Sequence, residues 1–171
     1  MYSITREQQL KELNERIPPV VNVDIVIFKE WKFLVGKHPT PRHWLFPGKR
    51  MKFDETLHEA AERVLQEEVP GIKARIKKLI TVLEDRGNDP RANGVTVYYL
   101  FDYISGTPIP NEHLLDFKWV DREEFDKLDE SYDFDKRVFN EIDLAVRTMN
   151  TTEDEILTEV DKDNQEIGSI V

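Results

Sequence analysis

Between Glu55 and Val69 the sequence reads "ETLHEAAERVLQEEV", with Leu57, Ala60, Ala61, Val64 and Leu65 spaced along one stripe of a helical surface. Asp54 is the expected N-cap, and Pro70-Gly71 stops the helix abruptly. A single amphipathic helix needs an apolar surface to cover, and the flanking segments supply one. "VVNVDIVIF" (Val20–Phe28) is rich in β-branched residues and reads as a buried strand, with Trp31–Lys37 as its hairpin partner. Strand character returns at Ala74–Leu83, Gly94–Tyr103 and Leu114–Val120, and helices are expected after Asp121 and over Phe134–Met149. Strands on both sides of one strong helix, closed off by further helices, predict an α/β fold: a mixed β-sheet sandwiched between helices.

Residues 1–19 read as an N-terminal helix (Ile4–Arg16) and linker ended by Pro18-Pro19, residues 20–150 as the domain, and residues 151–171 as an acidic tail. A length of 171 residues fits one domain of this kind. With no cysteine, disulfides, a thiol nucleophile and Cys-zinc sites are excluded. No apolar run approaches a membrane span, and "MYSITREQQL" lacks the apolar centre of a signal peptide, so a cytoplasmic location and no membrane partner are expected. The net charge of −10 sits in the last third: from Asp121 onward there are 17 Asp+Glu against 6 Lys+Arg, leaving the rest near neutral. A broad basic face is missing, which argues against a nucleic-acid partner. An anionic ligand has to be met by local arginines and bound cations.

The chemistry concentrates in "WLFPGKRMKFDETLHEAAERVLQEEVPGI" (Trp44–Ile72). A Pro-Gly turn after a strand brings backbone close to a phosphate or a metal. Positions 64, 67 and 68 share a helix face, so Glu67 and Glu68 together can hold a hard divalent ion through oxygen ligands. Glu55, Glu59 and Arg63 stand one turn apart, and Arg63 can pair with either carboxylate to lock loop to helix. On spacing alone, a solvated charged helix face explains the same residues equally well.

The order of residues resembles the signature of the Nudix hydrolases. Glu55, then seven residues, Arg63, the paired acids Glu67-Glu68, and Gly71-Ile72 fall in that pattern if Pro70 is a one-residue insertion. Within that group the stretch is most similar to the GDP-mannose mannosyl hydrolases, over about Val20 to Asp121. The resemblance implies a Nudix fold, Mg²⁺ (or Mn²⁺) as cofactor, and a nucleotide-sugar or nucleoside-diphosphate substrate. It assigns Glu67, Glu68 and the Lys49 carbonyl to the metal, and Gly48, Glu55 and Arg63 to the structural box. Arg50 falls to the departing diphosphate, while Asp24 and His38 fall to the substrate pocket. His113 lies one residue from the position of that group's general base, and reads either as the base or as a metal ligand. Three departures stand out: Lys49 replaces the signature glycine, Val64 replaces an acidic metal ligand, and Pro70 lengthens the helix exit.

The leading expectation is therefore water attack at the anomeric carbon, releasing sugar and nucleoside diphosphate. The alternatives are a pyrophosphatase attacking phosphorus, and a nucleotide-binding module without turnover. The resemblance also implies a homodimer with its contact over Ile4–Phe28. "EILTEVDKDNQEIGSIV" in the tail resembles the opening strands of the isopentenyl-diphosphate-isomerase-like Nudix branch, which would make it the start of a second unit. The plain reading is an acidic tail.

Overall fold

The computed structural model describes residues 5–8, 20–85, 94–128 and 137–148. Most of the expected N-terminal helix, the polar loop between the two long strands and the whole acidic tail lie outside these residues. The part of the N-terminal helix that is described, residues 6–8, opens on a reciprocal cap in which Gln8 Oε1 accepts from the Thr5 amide and Thr5 Oγ1 accepts from the Gln8 amide.

Seven strands form one mixed sheet: β1 (Val20–Lys29), β2 (Lys32–Lys37), β3 (Trp44–Leu45), β4 (Gly48–Arg50), β5 (Ile72–Asp85), β6 (Gly94–Gly106) and β7 (Phe117–Val120). The main path runs β3-β2-β1-β6-β5, with β4 on β1 and β7 on β2. β1 pairs parallel with β6 from Val20 opposite Gly94 to Phe28 opposite Asp102, while the other pairings are antiparallel. β1 and β2 are joined by a two-residue turn in which Glu30 and Trp31 both take positive φ. That is the turn whose twist matches a hairpin. Trp31 is thus a turn residue and not, as its aromatic character suggested, the first of the strand.

Alternation along the two central strands divides the core. Val23, Ile25, Ile27, Val97, Tyr99 and Phe101 point to one face and meet helix α1 (Leu57–Glu68) through Ala60, Ala61, Val64 and Leu65. Val26, Tyr98 and Leu100 point the other way, onto Phe46, onto Phe125 of α2 (Arg122–Asp126) and onto Phe139 and Ile142 of α3 (residues 139–148). The expected sandwich is therefore observed, and both sheet faces are covered, which is why the central strands read as continuous apolar runs. Val20–Phe28 lies in the middle of the sheet with neighbours on both sides, so this part of the expected dimer contact offers no open strand edge.

The ends of α1 correct the sequence reading. Thr56, not Asp54, is the N-cap: its side chain accepts from the Glu59 amide, and Glu59 returns to the Thr56 amide. The Thr-x-x-Glu spacing is a capping box, and it outcompetes Asp54 because both orphan amides are satisfied at once. Glu59 is thereby committed to the cap and does not pair with Arg63. At the other end Gly71 takes φ +92°, and a Cβ there would collide with the Thr107 carbonyl just beyond the end of β6. β5 starts immediately, at Ile72, two residues earlier than expected. β7 is shorter than expected; Leu114 precedes it as a fully buried loop residue.

Replacing Thr56 by Ala removes one half of the capping box. Stability should fall by about 1 kcal/mol, read as a lower urea midpoint with an unchanged slope.

Candidate active site

The site is assembled around an ion pair that joins the β4–α1 loop to the helix. Arg63 Nε donates to Glu55 Oε2 at 2.9 Å and Nη2 to Glu55 Oε1 at 2.6 Å, a two-pronged contact. The same Nη2 donates to the Arg50 carbonyl at 2.8 Å, and Nη1 reaches Glu67 Oε2 at 3.3 Å. The Lys52 amide donates to Glu55 Oε1 as well. Loop residues 50–55 are thus fastened to α1 by one guanidinium. The hydrogen bond from Arg63, reinforced by that from the Lys52 amide, holds the Glu55 carboxyl at about 2, well below its ordinary value of 4.5.

One turn beyond Arg63, Glu67 and Glu68 face the end of β4. Glu68 is 4% exposed, although it is a carboxylate in a helix. Its Oε1 is buried and accepts no hydrogen bond. The Lys49 ammonium lies 3.0 Å from it, an ionic contact out of line for a directed bond, and 2.8 Å from Glu67 Oε2. Burial works against the charge on Lys49, but its two carboxylate partners outweigh that and hold the amine above its ordinary value. The Lys49 hydrogen bond in turn lowers the Glu67 carboxyl, with Arg63 contributing less.

These groups open into a cleft of about 390 Å³ at the start of β1, lined also by Asp24, His38, Thr96 and His113. Asp24, half-buried on β1, faces Gly48 across the β1–β4 ladder. A Cβ at Gly48 would run into the Asp24 carboxylate and crowd the Asp24 Cα at 3.2 Å, so glycine leaves the Asp24 side chain its present position. His38 Nδ1 lies 3.3 Å from both the Thr40 amide and the Pro41 carbonyl, so it accepts from the first or donates to the second according to the ring's tautomer. His113 stands at the mouth, with Nδ1 3.9 Å from Glu68 Oε1 and Nε2 3.7 Å from Glu112 Oε1. Its loop is set by Asn111, whose Oδ1 accepts from the His113 and Leu114 amides while Nδ2 donates to the Glu68 carbonyl.

The cleft accordingly gathers Asp24, His38, Gly48, Lys49, Glu68 and His113, with Glu67 on Lys49 at its edge. Arg50 is not among the lining residues; its side chain is exposed and its carbonyl is held by Arg63. The Lys49 carbonyl, expected on a metal, lies toward the Val23 amide in the ladder, as follows from the bonds on either side (Ile25 to Pro47, Val21 to Met51). Val64 is fully buried against the sheet, so the face it shares with Glu68 turns inward. Asn111 and the Lys49 side chain escaped sequence reasoning. An Asn two residues before the histidine of interest, in a loop rich in polar residues, was the available signal for the first.

Two carboxylates with one buried, unsatisfied oxygen suit Mg²⁺ or Mn²⁺, the remaining ligands coming from water or a substrate phosphate. Among the described residues no group of three or more His, Asp or Glu side chains is arranged to hold a metal ion, so the protein side of such a site is these two carboxylates. The donor set fits a divalent cation, on condition that the Lys49 ammonium moves aside.

A family model of the NUDIX domain matches residues 18–142. The chain belongs to the Nudix family. A curated relative, the ADP-ribose pyrophosphatase of Methanocaldococcus jannaschii, is 30% identical over 106 residues, a match covering 60% of this chain and 62% of that protein. Two solved structures share the fold. An ADP-ribose pyrophosphatase from Streptococcus suis superposes with TM-score 0.63 at 20% identity, covering 76% of this chain and 93% of its own. A MutT protein from Methanosarcina mazei gives 0.66 at 17%, covering 75% and 95%. These relatives bear out the Nudix signature; the finer likeness to mannosyl hydrolases is not reflected in their names. Among the described residues no helix is long and apolar enough to cross a membrane.

Because the Glu55 carboxyl is lowered in the folded chain, its contribution to stability is complete above pH 4.5 and is lost as pH falls toward about 2. Glu55→Gln should flatten the acid limb of a urea-midpoint profile over that window. An unchanged limb would show that the pair does not govern acid stability. Gly48→Ala should lower stability by about 1–3 kcal/mol through overpacking against Asp24, again measured by urea unfolding.

Proposed function

We propose that this Nudix domain is a hydrolase of nucleoside-diphosphate linkages, with water attacking phosphorus in a substrate of the ADP-ribose type. The observation that carries the reading is the cleft that brings Glu68 and His113 together beside the Arg63–Glu55 clamp, with Glu67 joined to it through Lys49. Its support from outside the chain is the pyrophosphatase name borne by the relative that is 30% identical. In such a reaction one water adds across the P–O–P bridge, giving a nucleoside monophosphate and a sugar phosphate.

A divalent cation held by Glu67 and Glu68 would supply positive charge on the diphosphate and acidify bound water. The chain's own residues then have separate tasks. His113 accepts the water's proton at Nδ1, the ring nitrogen turned toward Glu68. His38, in the cleft lining, is the neighbouring imidazole for a phosphate oxygen. Arg50, exposed one residue beyond Lys49, offers a guanidinium to the phosphate that departs. Asp24 and Thr96, both lining the cleft, are the polar groups available to the sugar hydroxyls or the base.

Glycosyl transfer from GDP-mannose, the leading expectation from sequence, keeps the same residues but moves the attack to carbon. Incubation with ADP-ribose, GDP-mannose and UDP-sugars in ¹⁸O-water separates the two. The expected outcome is nucleoside monophosphate plus sugar phosphate, with the label in a phosphate product. Free sugar carrying the label, together with nucleoside diphosphate, would overturn attack at phosphorus. His113→Ala should lower kcat about 10²–10⁴-fold with KM little changed.

A further inference from the structure

We propose that the Lys49 ammonium is a tethered competitor for the divalent cation: it occupies the cation position on Glu67 and Glu68, and metal enters only when the lysine leaves. Three observations meet at one point. The ammonium bridges both carboxylates, at 2.8 Å from Glu67 Oε2 and 3.0 Å from Glu68 Oε1. Glu68 is 4% exposed, and its buried Oε1 accepts no directed hydrogen bond, so the Lys49 ammonium is the charge set against it. Lys49 itself stands on β4, whose ladder with β1 fixes its backbone opposite Val23, so only the side chain is able to move.

The consequence follows from charge. With Val64 buried where a further acid would sit, the pocket offers two carboxylates to whatever cation arrives. The lysine neutralises about half of that charge, and a divalent ion beside it would meet an unscreened positive neighbour in a partly buried site. Metal binding therefore includes the work of detaching the ammonium. Once detached, the four-carbon stem lets the ammonium turn into the cleft, where a diphosphate is the natural counterion. Metal and anionic substrate accordingly favour each other's binding, because both draw Lys49 to the same alternative position. This inference concerns how the carboxylates are charged and does not depend on which bond the protein cleaves.

The test is Mn²⁺ binding to the intact protein, followed by the free-Mn²⁺ electron paramagnetic resonance signal with no substrate present. Lys49→Met keeps most of the aliphatic stem and removes the charge. It should tighten Mn²⁺ binding at least tenfold, whereas Lys49→Arg should bind no more tightly than the parent. Adding a non-hydrolysable nucleoside diphosphate analogue should tighten Mn²⁺ binding in the parent by more than in Lys49→Met. Equal Mn²⁺ affinity in the parent and Lys49→Met, or no binding by either, would overturn the proposal. If Lys49→Met does not fold, as judged by circular dichroism, Lys49→Gln replaces it with the same expected result. Failure of the ¹⁸O experiment would leave these affinities unaffected, so the two readings fall separately.

Discussion

Everything in this site hangs from the guanidinium of Arg63. It binds both oxygens of Glu55, a loop carbonyl at Arg50 and one oxygen of Glu67, so a single planar group fixes three parts of the chain relative to one another. Lysine at this position has one charged atom and cannot span those acceptors. The pair is largely shielded from water, with side-chain exposures of 15% and 11%, and the Lys52 amide completes the carboxylate's hydrogen bonds. That shielding makes the clamp geometrically strict. The end of β4, and with it Lys49, is placed by the clamp as much as by the sheet.

Much of this was legible because it is local. The helix stripe, the β-branched central strands and the Glu-x7-Arg spacing are properties of consecutive residues, and each recurs in the structure as an element or a pair. Helix ends were less legible. Asp54 and Thr56 are both good caps in isolation, and only the reciprocal bond from Glu59 separates them. The site divides in the same way. Arg63 with Glu55 is a pair within one short stretch of sequence, and Glu67 and Glu68 are neighbours in the last turn of α1. The encounter of Lys49 with those acids depends on β4 pairing with β1, which no window of sequence contains. A resemblance directs attention to what the replaced glycine had supplied, a carbonyl, and away from the side chain that the replacement introduced.

Val64 shows how a lost acid can be accommodated. Its position closes the α1–sheet interface among Val23, Ile25, Leu65 and Val97, and it is completely buried. A glutamate there has to point out of that interface, whereas valine packs into it. Valine at this position adds core contact, and the two acids that follow remain at the end of α1. Val64 therefore bears on stability as directly as on the charge of the cleft.

The parallel pairing of β1 with β6 has a consequence for the birth of the protein. β1 is made near the start of the chain and its neighbour lies beyond Gly94, with hairpin, loop, helix and β5 between them. A ribosome must release the chain past Gly106 before Val23, Ile25 and Ile27 gain the strand beside them. Long-range pairing of this kind forms late and slowly. Until then β1 has only β2 and β4 on one side and lacks its neighbour on the other, and Asp24 is the one charge within its apolar run Val20–Phe28.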